Sequence, residues 1–484
     1  MTEIDRFAPV LILLITAGLL LLDDMFLPEK RHLPWLTLLG LLVSAAWTGS
    51  LVARDSRGSI YHDMLLLDNY AIFFYFLFPA VAGAVILGAI EFARRMDDRV
   101  GEFYALILVV AAGAMMLASA NDLIMIFIAL ETTSISQYAL AGFLRDNRSS
   151  EAGVKYLLLG AVSTATLLYG MALLFGLTGT TGLPGIAEAL TRADSGLRPA
   201  YLLAATLIAA GFGFKMVVFP FQMWAPDVYE GAPTPVTAYL SVASKAAGFA
   251  IVLRVFFVAL AGTLITAEWT QLFAVIAAIS MTVGNVLAIQ QRNIKRLFGY
   301  SSVAQAGYFL VGVTAVSVAN GRFTLAASGV LFFIATYAFT NLGAMLAIVA
   351  IENAIGSEEI ADYSGLAKRS PWLAAVLAFC LISLTGLPPT AGFFAKVYIF
   401  YAAVQAKYVW LVVIAVLNTL LAAVYYLNIV RVMYLGEAKA PTGLRAGAAI
   451  RFAMTVAALG VLVFGVVPVP LLDAAQKAAN VFRF

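Results

Sequence analysis

The sequence has 484 residues, of which 62% are hydrophobic and only 12% charged, and its formal net charge is +3. A soluble domain carries about 25% charged residues, so this composition excludes a soluble globular protein and predicts an all-α polytopic membrane protein. The single cysteine, Cys380, excludes an internal disulfide and a metal or iron–sulfur site built from cysteines.

Apolar runs long enough to cross a bilayer core, about 20 residues each, recur almost from end to end. They predict about 14 transmembrane helices, and no stretch between them is long enough for a soluble domain. The predicted spans are 8–23, 33–53, 70–92, 103–119, 122–143, 155–178, 201–225, 234–259, 269–290, 294–316, 323–351, 372–402, 408–434 and 449–470.

Lysine and arginine are distributed unequally between the two sides of these spans. With the N-terminus outside, the inner loops hold about 17 of them, Lys439 included, against about 9 in the outer loops and the two termini. Cytoplasmic loops of membrane proteins carry the excess of positive charge. The pattern therefore predicts that both termini lie on the periplasmic side, an orientation that depends on the even number of spans.

Ionisable residues stand inside apolar runs at four places: Glu131 in the fifth span, Lys215 in the seventh, Lys245 in the eighth and Lys396 in the twelfth. Such a group at the centre of a membrane helix costs about 2.5 kcal/mol or more, and it commonly marks an ion or proton path. The four residues therefore predict a relay of protonatable groups. The structural alternatives are a neutral carboxylic acid for Glu131 and a lysine that snorkels to the interface for Lys245.

Glu131 and Lys215 are expected to interact, directly or through one polar group or water. Burial disfavours the charged form of each side chain, whereas mutual pairing favours it. Separating the two groups would then leave the amine free to release a proton, so the pair predicts a switch.

Prolines interrupt two predicted spans close to a buried lysine. Pro220 follows Lys215, and LTGLPPTAGFFAK places Pro388 and Pro389 before Lys396. Proline breaks a helix, and paired broken helices in corresponding halves are typical of inverted-repeat transporters. The stretches AGFGFK and AGFFAK share the letters A-G-F-x-x-K five spans apart, which predicts two inverted five-helix repeats.

These observations predict four parts of the chain. Residues 1–100 would form three N-terminal helices, 101–260 the first five-helix repeat and 267–435 the second. Residues 436–484 would hold the C-terminal helix and tail.

Polar residues are also concentrated in the tenth and thirteenth spans and in the loop after the seventh. Each could form hydrogen bonds between helices or line a hydrated path. Asp227 and Glu230 could gather protons or simply lie in a solvated loop. The polar residues of the two spans are Tyr300, Ser301, Ser302, Gln305, Tyr308, Asn418, Tyr425, Tyr426 and Asn428.

Four stretches carry a resemblance to one family: FIALETTSISQYALAGF, FKMVVFPFQMWAPDVYEGAPTPVTAYLSVASK, NIKRLFGYSSVAQAGY and SLTGLPPTAGFFAK. They resemble the antiporter-like proton-pumping subunits of respiratory complex I, the proton-translocating NADH:quinone oxidoreductase, over essentially the whole chain. Among the three kinds, called L, M and N, the chain is most similar to N, because Lys396 stands where M carries glutamate. Gln305 departs from the histidine that L and M tend to have.

The resemblance implies a multi-pass subunit of the bacterial inner membrane that moves protons while quinone is reduced elsewhere. It implies Glu131 and Lys215 as a coupling pair, Lys245 as the central connector and Lys396 as the exit-side group. It also implies that FMN, iron–sulfur clusters and quinone belong to other subunits and that this chain holds no cofactor. The implied partners are the antiporter-like M subunit, small membrane subunits, the lipid bilayer, protons and water, but no nucleic acid.

Two other functions remain open on the sequence. A subunit of a multisubunit cation/proton antiporter would resemble the same family and would exchange sodium or potassium. A structural membrane anchor would use its buried charges only to hold helices together. Three lysines spread over two repeats favour the relay over the anchor, because a single pair would suffice to hold helices.

Overall fold

The computed structural model of the chain describes residues 3–27, 29–96, 99–315, 323–437 and 443–482. The described residues are almost all helical, apart from one antiparallel hairpin of β1 (Gly58–Ile60) and β2 (Leu65–Leu67). The helices are α1 (Glu3–Phe26), α2 (Leu33–Ala53), α3 (Asn69–Phe92), α4 (Val100–Ser119), α5 (Leu123–Ala141), α6 (Asn147–Thr178), α7 (Leu183–Thr191), α8 (Arg198–Met216), α9 (Trp224–Gly231), α10 (Thr234–Tyr239), α11 (Lys245–Arg254), α12 (Thr266–Ile289), α13 (Ile294–Thr314), α14 (Phe323–Ile355), α15 (Leu366–Arg369), α16 (Pro371–Thr385), α17 (Ala391–Gln405), α18 (Val409–Leu435), α19 (Ala448–Val466) and α20 (Val469–Ala479).

Twelve helical segments of the described residues are long and apolar enough to cross a membrane. Two shorter apolar helices, α16 and α17, together occupy the twelfth predicted span. Helix α13 has 21 residues, enough to cross a bilayer core, although it carries many polar groups. The all-α membrane architecture is therefore confirmed, whereas the count of 14 and the four-part division stay predictions. Lys439, used for the orientation, lies outside the described residues.

Both predicted breaks are present, and both follow the same local pattern. Helix α8 ends at Met216 and is followed by Val217, whose φ is 65°; α16 ends at Thr385 and is followed by Gly386, whose φ is 90°. A residue in the left-handed region commonly ends a helix. A proline follows three positions later in each case, at Pro220 and Pro389, where no backbone donor is available to resume the helix.

The matching letters A-G-F-x-x-K do not occupy equivalent places in the two broken helices. AGFGFK is the end of α8, so Lys215 precedes its break, whereas AGFFAK begins α17, so Lys396 follows its break. When the left-handed residues Val217 and Gly386 are aligned, Lys396 corresponds to Asp227. The shared letters therefore do not mark equivalent positions of the two broken helices; the five-helix repeat itself stays a prediction.

The predicted eighth span contains two π-helical segments that the sequence did not indicate. They are Leu240–Ser244, between α10 and α11, and Val255–Ala259, directly after α11. A π segment inserts an extra residue into the helical repeat and is frequent at functional sites. The first of them immediately precedes Lys245, so it fixes the direction in which this lysine leaves the helix.

Helices α13 and α14 form the centre of the bundle. Nearly every described residue of both is buried, and α14 packs against α10, α13, α16, α17, α19 and α20. By contrast α1, α2, α6, α18 and α19 expose one apolar face. Buried polar side chains on α13 and α14 are costly unless they are hydrogen-bonded, so their partners locate the candidate site.

Candidate functional site

Lys215 lies in the last turn of α8 and is only 2% exposed. Its Nζ donates to Gln137 Oε1 at 2.8 Å and to Ser134 Oγ at 3.3 Å, both on α5. Gln137 Oε1 also accepts from the hydroxyls of Tyr156 at 3.1 Å and Ser244 at 3.2 Å. Gln137, which sequence reasoning missed, therefore joins the first lysine to the residue that precedes Lys245.

Glu131 lies on the same helix as these acceptors but makes a different contact. It is partly exposed, and its Oε1 accepts a hydrogen bond from Thr164 Oγ1 of α6 at 2.8 Å. The ion pairs within 4.0 Å among the described residues do not include one between Glu131 and Lys215. The direct form of the predicted pair is therefore absent, because Gln137 and Ser134 take the ammonium. Ser134 lies one turn from Glu131 on the same face, and an indirect link stays a prediction.

Lys245 is the first residue of α11 and is 1% exposed. Its Nζ donates to the backbone carbonyl of Ser302 at 2.9 Å and to the hydroxyl of Tyr337 at 3.1 Å. The same Nζ lies 4.7 Å from the centroid of the Tyr337 ring, within the range in which an aromatic face attracts a cation. Lys245 is thus held deep in the bundle by α13 and α14, and the snorkelling alternative is wrong.

Lys396 is held by the broken end of the preceding helix. Its Nζ donates to the backbone carbonyls of Thr385 at 2.9 Å and Leu384 at 3.3 Å, and it lies 4.3 Å from the Tyr308 ring centroid. The last carbonyls of a helix have no helical partner and attract positive charge. The break at Gly386 therefore produces the acceptors that a buried lysine requires.

Helix α13 spans the distance between Lys245 and Lys396. Ser302 contacts the first lysine, Tyr308 the second, and Gln305 Nε2 donates at 3.2 Å to Leu384 O, an acceptor of Lys396. Residues three positions apart on a helix lie near each other, so α13 carries these contacts in order from the carbonyl of Ser302 to the side chains of Gln305 and Tyr308. Most of the other predicted polar residues form hydrogen bonds between helices: Ser301 with Tyr426, and both Tyr425 and Asn418 with Asn285. Asn428 is instead exposed and accepts a hydrogen bond from Arg431.

A charged cluster gathers at one end of the bundle and joins α6 and α9 to α13 and the segment after α14. Asp227 bonds Lys155 at 2.9 Å and Arg296 at 2.6 Å, so it is not a free loop residue. Burial acts to raise the pKa of Asp227, but Lys155 and Arg296 outweigh it and lower that pKa. The members of the cluster are Arg148, Lys155, Asp227, Glu230, Lys295, Arg296 and Glu358.

The three buried lysines have neutral partners only. Among the described residues, no carboxylate lies within 4.0 Å of the Nζ atoms of Lys215, Lys245 or Lys396. A buried ammonium without a counter-ion carries a large desolvation cost that a neutral amine does not. Hydrogen bonds to neutral groups, and not ion pairs, therefore hold all three lysines in place. In the described part of the chain, no group of three or more His, Cys, Asp or Glu side chains is arranged to hold a metal ion.

Two helices broken beside buried lysines, joined through a central polar helix, define the protein as a transporter-like polytopic membrane protein. Residues 120–422 match the family described as NADH:quinone oxidoreductase/Mrp antiporter, TM, and the chain belongs to this family. The NADH-quinone oxidoreductase subunit N of Dehalococcoides mccartyi is 44% identical over 98% of this chain and 99% of its own length. The protein of the same name from Trichlorobacter lovleyi is 42% identical over 99% and 97%.

Solved structures share the fold. A chain of respiratory complex I from Thermus thermophilus with bound aureothin has a TM-score of 0.80 and 30% identity, covering 96% of this chain and 98% of its own. A chain of the Mrp complex from Dietzia sp. DQ12-45-1b has a TM-score of 0.86 over 99% and 97%, but its 21% identity supports a common fold alone.

Proposed function

We propose that this chain is the N subunit of a proton-translocating NADH:quinone oxidoreductase and moves protons through its buried lysines. The observation that carries the proposal is the series of buried polar groups that lie between Lys215, Lys245 and Lys396. The 44% identity to a subunit N over nearly the full length supports the choice of complex. Redox chemistry would take place on other subunits, with FMN, iron–sulfur clusters and quinone, and this chain would hold no cofactor.

The proton path proposed here runs across the bundle. A proton released by Lys215 would pass by way of water molecules beside Gln137 and Ser244 to Lys245, and by way of water beside α13 to Lys396. Proton transfer requires donors and acceptors within hydrogen-bond reach or bridged by water, and the buried polar groups beside the three lysines would hold the bridging water. Glu131, one turn from the Ser134 acceptor of Lys215, would tune the proton affinity of this lysine, and Lys396 would release the proton at the exit side.

The proposed setting is the bacterial inner membrane with both termini in the periplasm. The partners would be an antiporter-like M subunit, small membrane subunits and the lipid bilayer. The exposed apolar faces of α6 and α18 would contact either lipid or these subunits. A reporter fused to the C-terminus that is active only outside the cytoplasm would support this orientation.

The experiment that tests the function replaces Lys245 with methionine in the intact complex. Lys245→Met keeps the apolar stem but removes the proton site, so NADH-driven pumping in inverted membrane vesicles should fall by about tenfold or more. Quinone reduction should fall with it, while electron transfer from NADH to a soluble acceptor such as ferricyanide stays unchanged.

The matched control is Lys477→Met, the same change at an exposed lysine of α20. It should leave pumping at the wild-type level. Full pumping by a normally assembled Lys245→Met complex would contradict the proposed function, whereas loss of assembly in this variant alone would favour the structural-anchor alternative.

A further inference from the structure

One buried carboxylate takes no part in the path described so far. Glu352 lies three residues before α14 ends and is only 9% exposed. Its two oxygens face different surroundings: Oε1 accepts from Arg95 Nη1 at 3.2 Å, and Oε2 accepts from the hydroxyl of Thr234. The Arg95 side chain is 43% exposed, whereas Thr234 is 1% exposed. The carboxylate therefore lies between the charged end of the bundle and its interior.

A row of buried hydroxyl groups leads inward from this carboxylate. Thr234, Thr237 and Ser241 are at most 1% exposed and occupy successive turns of α10 and the π segment that precedes Lys245. Residues three and four apart on a helix lie about 5–6 Å from each other, a distance that one water can bridge. The row ends one turn before Lys245.

Helix α14 adds two polar groups at the inner end of this row. Asn341 Nδ2 donates to Ser241 Oγ at 2.6 Å, and Tyr337, one turn earlier, contacts Lys245 Nζ through its hydroxyl at 3.1 Å. Glu352 lies three turns beyond Asn341 on the same helix. The hydroxyl row of α10 and the π segment thus begins at Glu352 and meets Asn341 and Tyr337 only near Lys245, because α14 is apolar over residues 342–351.

We propose that Glu352 is the residue that loads Lys245 with protons from the inner side of the membrane, independently of Lys215. This inference rests on the proposed function. The Glu352 carboxylate takes a proton from water at the charged end of the bundle and becomes a carboxylic acid. The proton then passes along the hydroxyl row to the neutral amine of Lys245, which becomes an ammonium while Glu352 returns to the carboxylate.

The contacts of Glu352 fit this role better than that of a residue that only holds two helices together. A carboxylate with a purely structural role would bind one cation with both oxygens, as in a bidentate pair with arginine. Here only one oxygen bonds Arg95, at 3.2 Å, and the other oxygen is directed at the first hydroxyl of the inward row. Arg95 thereby holds the carboxylate in place and leaves one of its oxygens to exchange a proton.

The experiment compares Glu352→Gln and Glu352→Asp in the intact complex, in inverted vesicles whose outer medium bathes the cytoplasmic face. Glutamine keeps the size and the acceptor of the side chain but cannot collect a proton. We expect NADH-driven pumping by Glu352→Gln to fall about tenfold at pH 8.5 and much less at pH 6.5, since protons are scarcer in the alkaline medium. Glu352→Asp should restore most of the alkaline activity.

Glu151→Gln serves as the matched control, because this carboxylate is at the same end of the bundle but its side chain is 65% exposed. It should pump as the wild type does at both pH values. A Glu352→Gln complex with the wild-type pH profile would overturn the inference. An equal loss of NADH-driven pumping in Glu352→Gln and Glu352→Asp at every pH would also overturn the inference, since that result indicates a purely structural role.

Thr234→Val decides the matter if Glu352→Gln fails to assemble. Valine keeps the shape of threonine and removes the first hydroxyl of the row, so selective slowing at pH 8.5 supports the inference and wild-type pumping overturns it. Lys245→Met, assayed in parallel, separates the two proposals. Loss of pumping in Lys245→Met but not in the Glu352 or Thr234 variants would reject proton loading by Glu352 and leave the proposed function standing.

Discussion

At the scale of single residues, the three buried lysines are held by different kinds of neutral acceptor. Lys215 uses an amide and a hydroxyl, Lys245 a carbonyl and a phenol, and Lys396 two carbonyls. Lys245 and Lys396 also lie over aromatic rings. The lysines are therefore not interchangeable, and each should respond to changes in its own surroundings.

Gly386 illustrates how closely one of these sites is built. A Cβ at this position would lie 2.9 Å from Lys396 Cδ, and its φ of 90° disfavours any other residue. Gly386→Ala should cost about 1–2 kcal/mol from the backbone alone and should also displace the lysine. We expect lower thermal stability of the detergent-solubilised complex together with a several-fold loss of NADH-driven pumping.

Gly179→Ala is the matched control for this prediction. Gly179 also has a positive φ, 72°, but nothing lies within 4 Å of an added Cβ. This variant should show the backbone cost without the loss of pumping. Equal pumping by the two variants would show that crowding of Lys396 by a side chain at position 386 does not affect its function.

The sequence identified the four ionisable residues because a charge in an apolar run stands out from its neighbours. It did not identify Gln137 or Tyr337, because neutral polar residues are common in helical bundles. Their partners are also distant in the chain: Gln137 is 78 positions from Lys215, and Tyr337 is 92 positions from Lys245. Only the packing of the helices brings these groups together.

At the scale of helices, the two breaks were predictable and the π segments were not. A proline after a helix end has a direct effect on backbone hydrogen bonding. The π segment Leu240–Ser244 consists of residues that are equally compatible with an α-helix, so its presence is decided by packing. The same limit explains why the letters shared by α8 and α17 lie on opposite sides of the two breaks.

Removing one residue from the π segment should abolish the function of Lys245. Deletion of Val242 would convert the segment to a regular α-helix and rotate Lys245 by about 100° relative to α10, away from Tyr337. The variant should therefore lose NADH-driven pumping to the same degree as Lys245→Met. Pumping assays on complexes that assemble normally on native gels test this expectation, and wild-type pumping by the deletion variant would show that the π segment does not position the lysine.

At the scale of the whole molecule, the charged cluster connects parts of the chain that are distant in sequence. Glu358 bonds Lys295 at 2.9 Å and Arg148 at 2.5 Å, so it ties the segment after α14 to both α13 and α6. Burial acts to raise the pKa of Glu358, but Lys295, Asn293 and Arg148 outweigh it and hold that pKa below its ordinary value of 4.5. Stability from this carboxylate is therefore present above about pH 4.5 and is lost as the pH falls through the lowered pKa.

Acidification should loosen this connection. Below pH 4.5 we expect amide hydrogen exchange at residues 356–359 of the solubilised complex, corrected for intrinsic rates, to rise steeply. Glu358→Gln should produce the same fast exchange at pH 7, because removing one partner of a buried pair costs about 3 kcal/mol or more, and it should remove much of the pH dependence.

Glu188→Gln is the control for the cluster. The side chains of Glu188 and its partner Arg192 are 61% and 77% exposed, and such exposed pairs contribute little to stability. It should leave exchange at 356–359 unchanged. Slow exchange in Glu358→Gln at pH 7 would show that the segment is held by its apolar contacts instead.

The capture of Lys396 by two main-chain oxygens has a consequence for genetic studies of this site. Leu384 and Thr385 contribute their peptide groups, which every amino acid possesses, so exchanging their side chains leaves the acceptors in place. A saturation screen would therefore not reveal these two acceptors, because whatever it detects at Leu384 and Thr385 reflects the packing of their buried side chains. Two of the three contacts that secure this amine thus escape side-chain mutagenesis, because they are specified by the path of the chain and not by the identity of a residue.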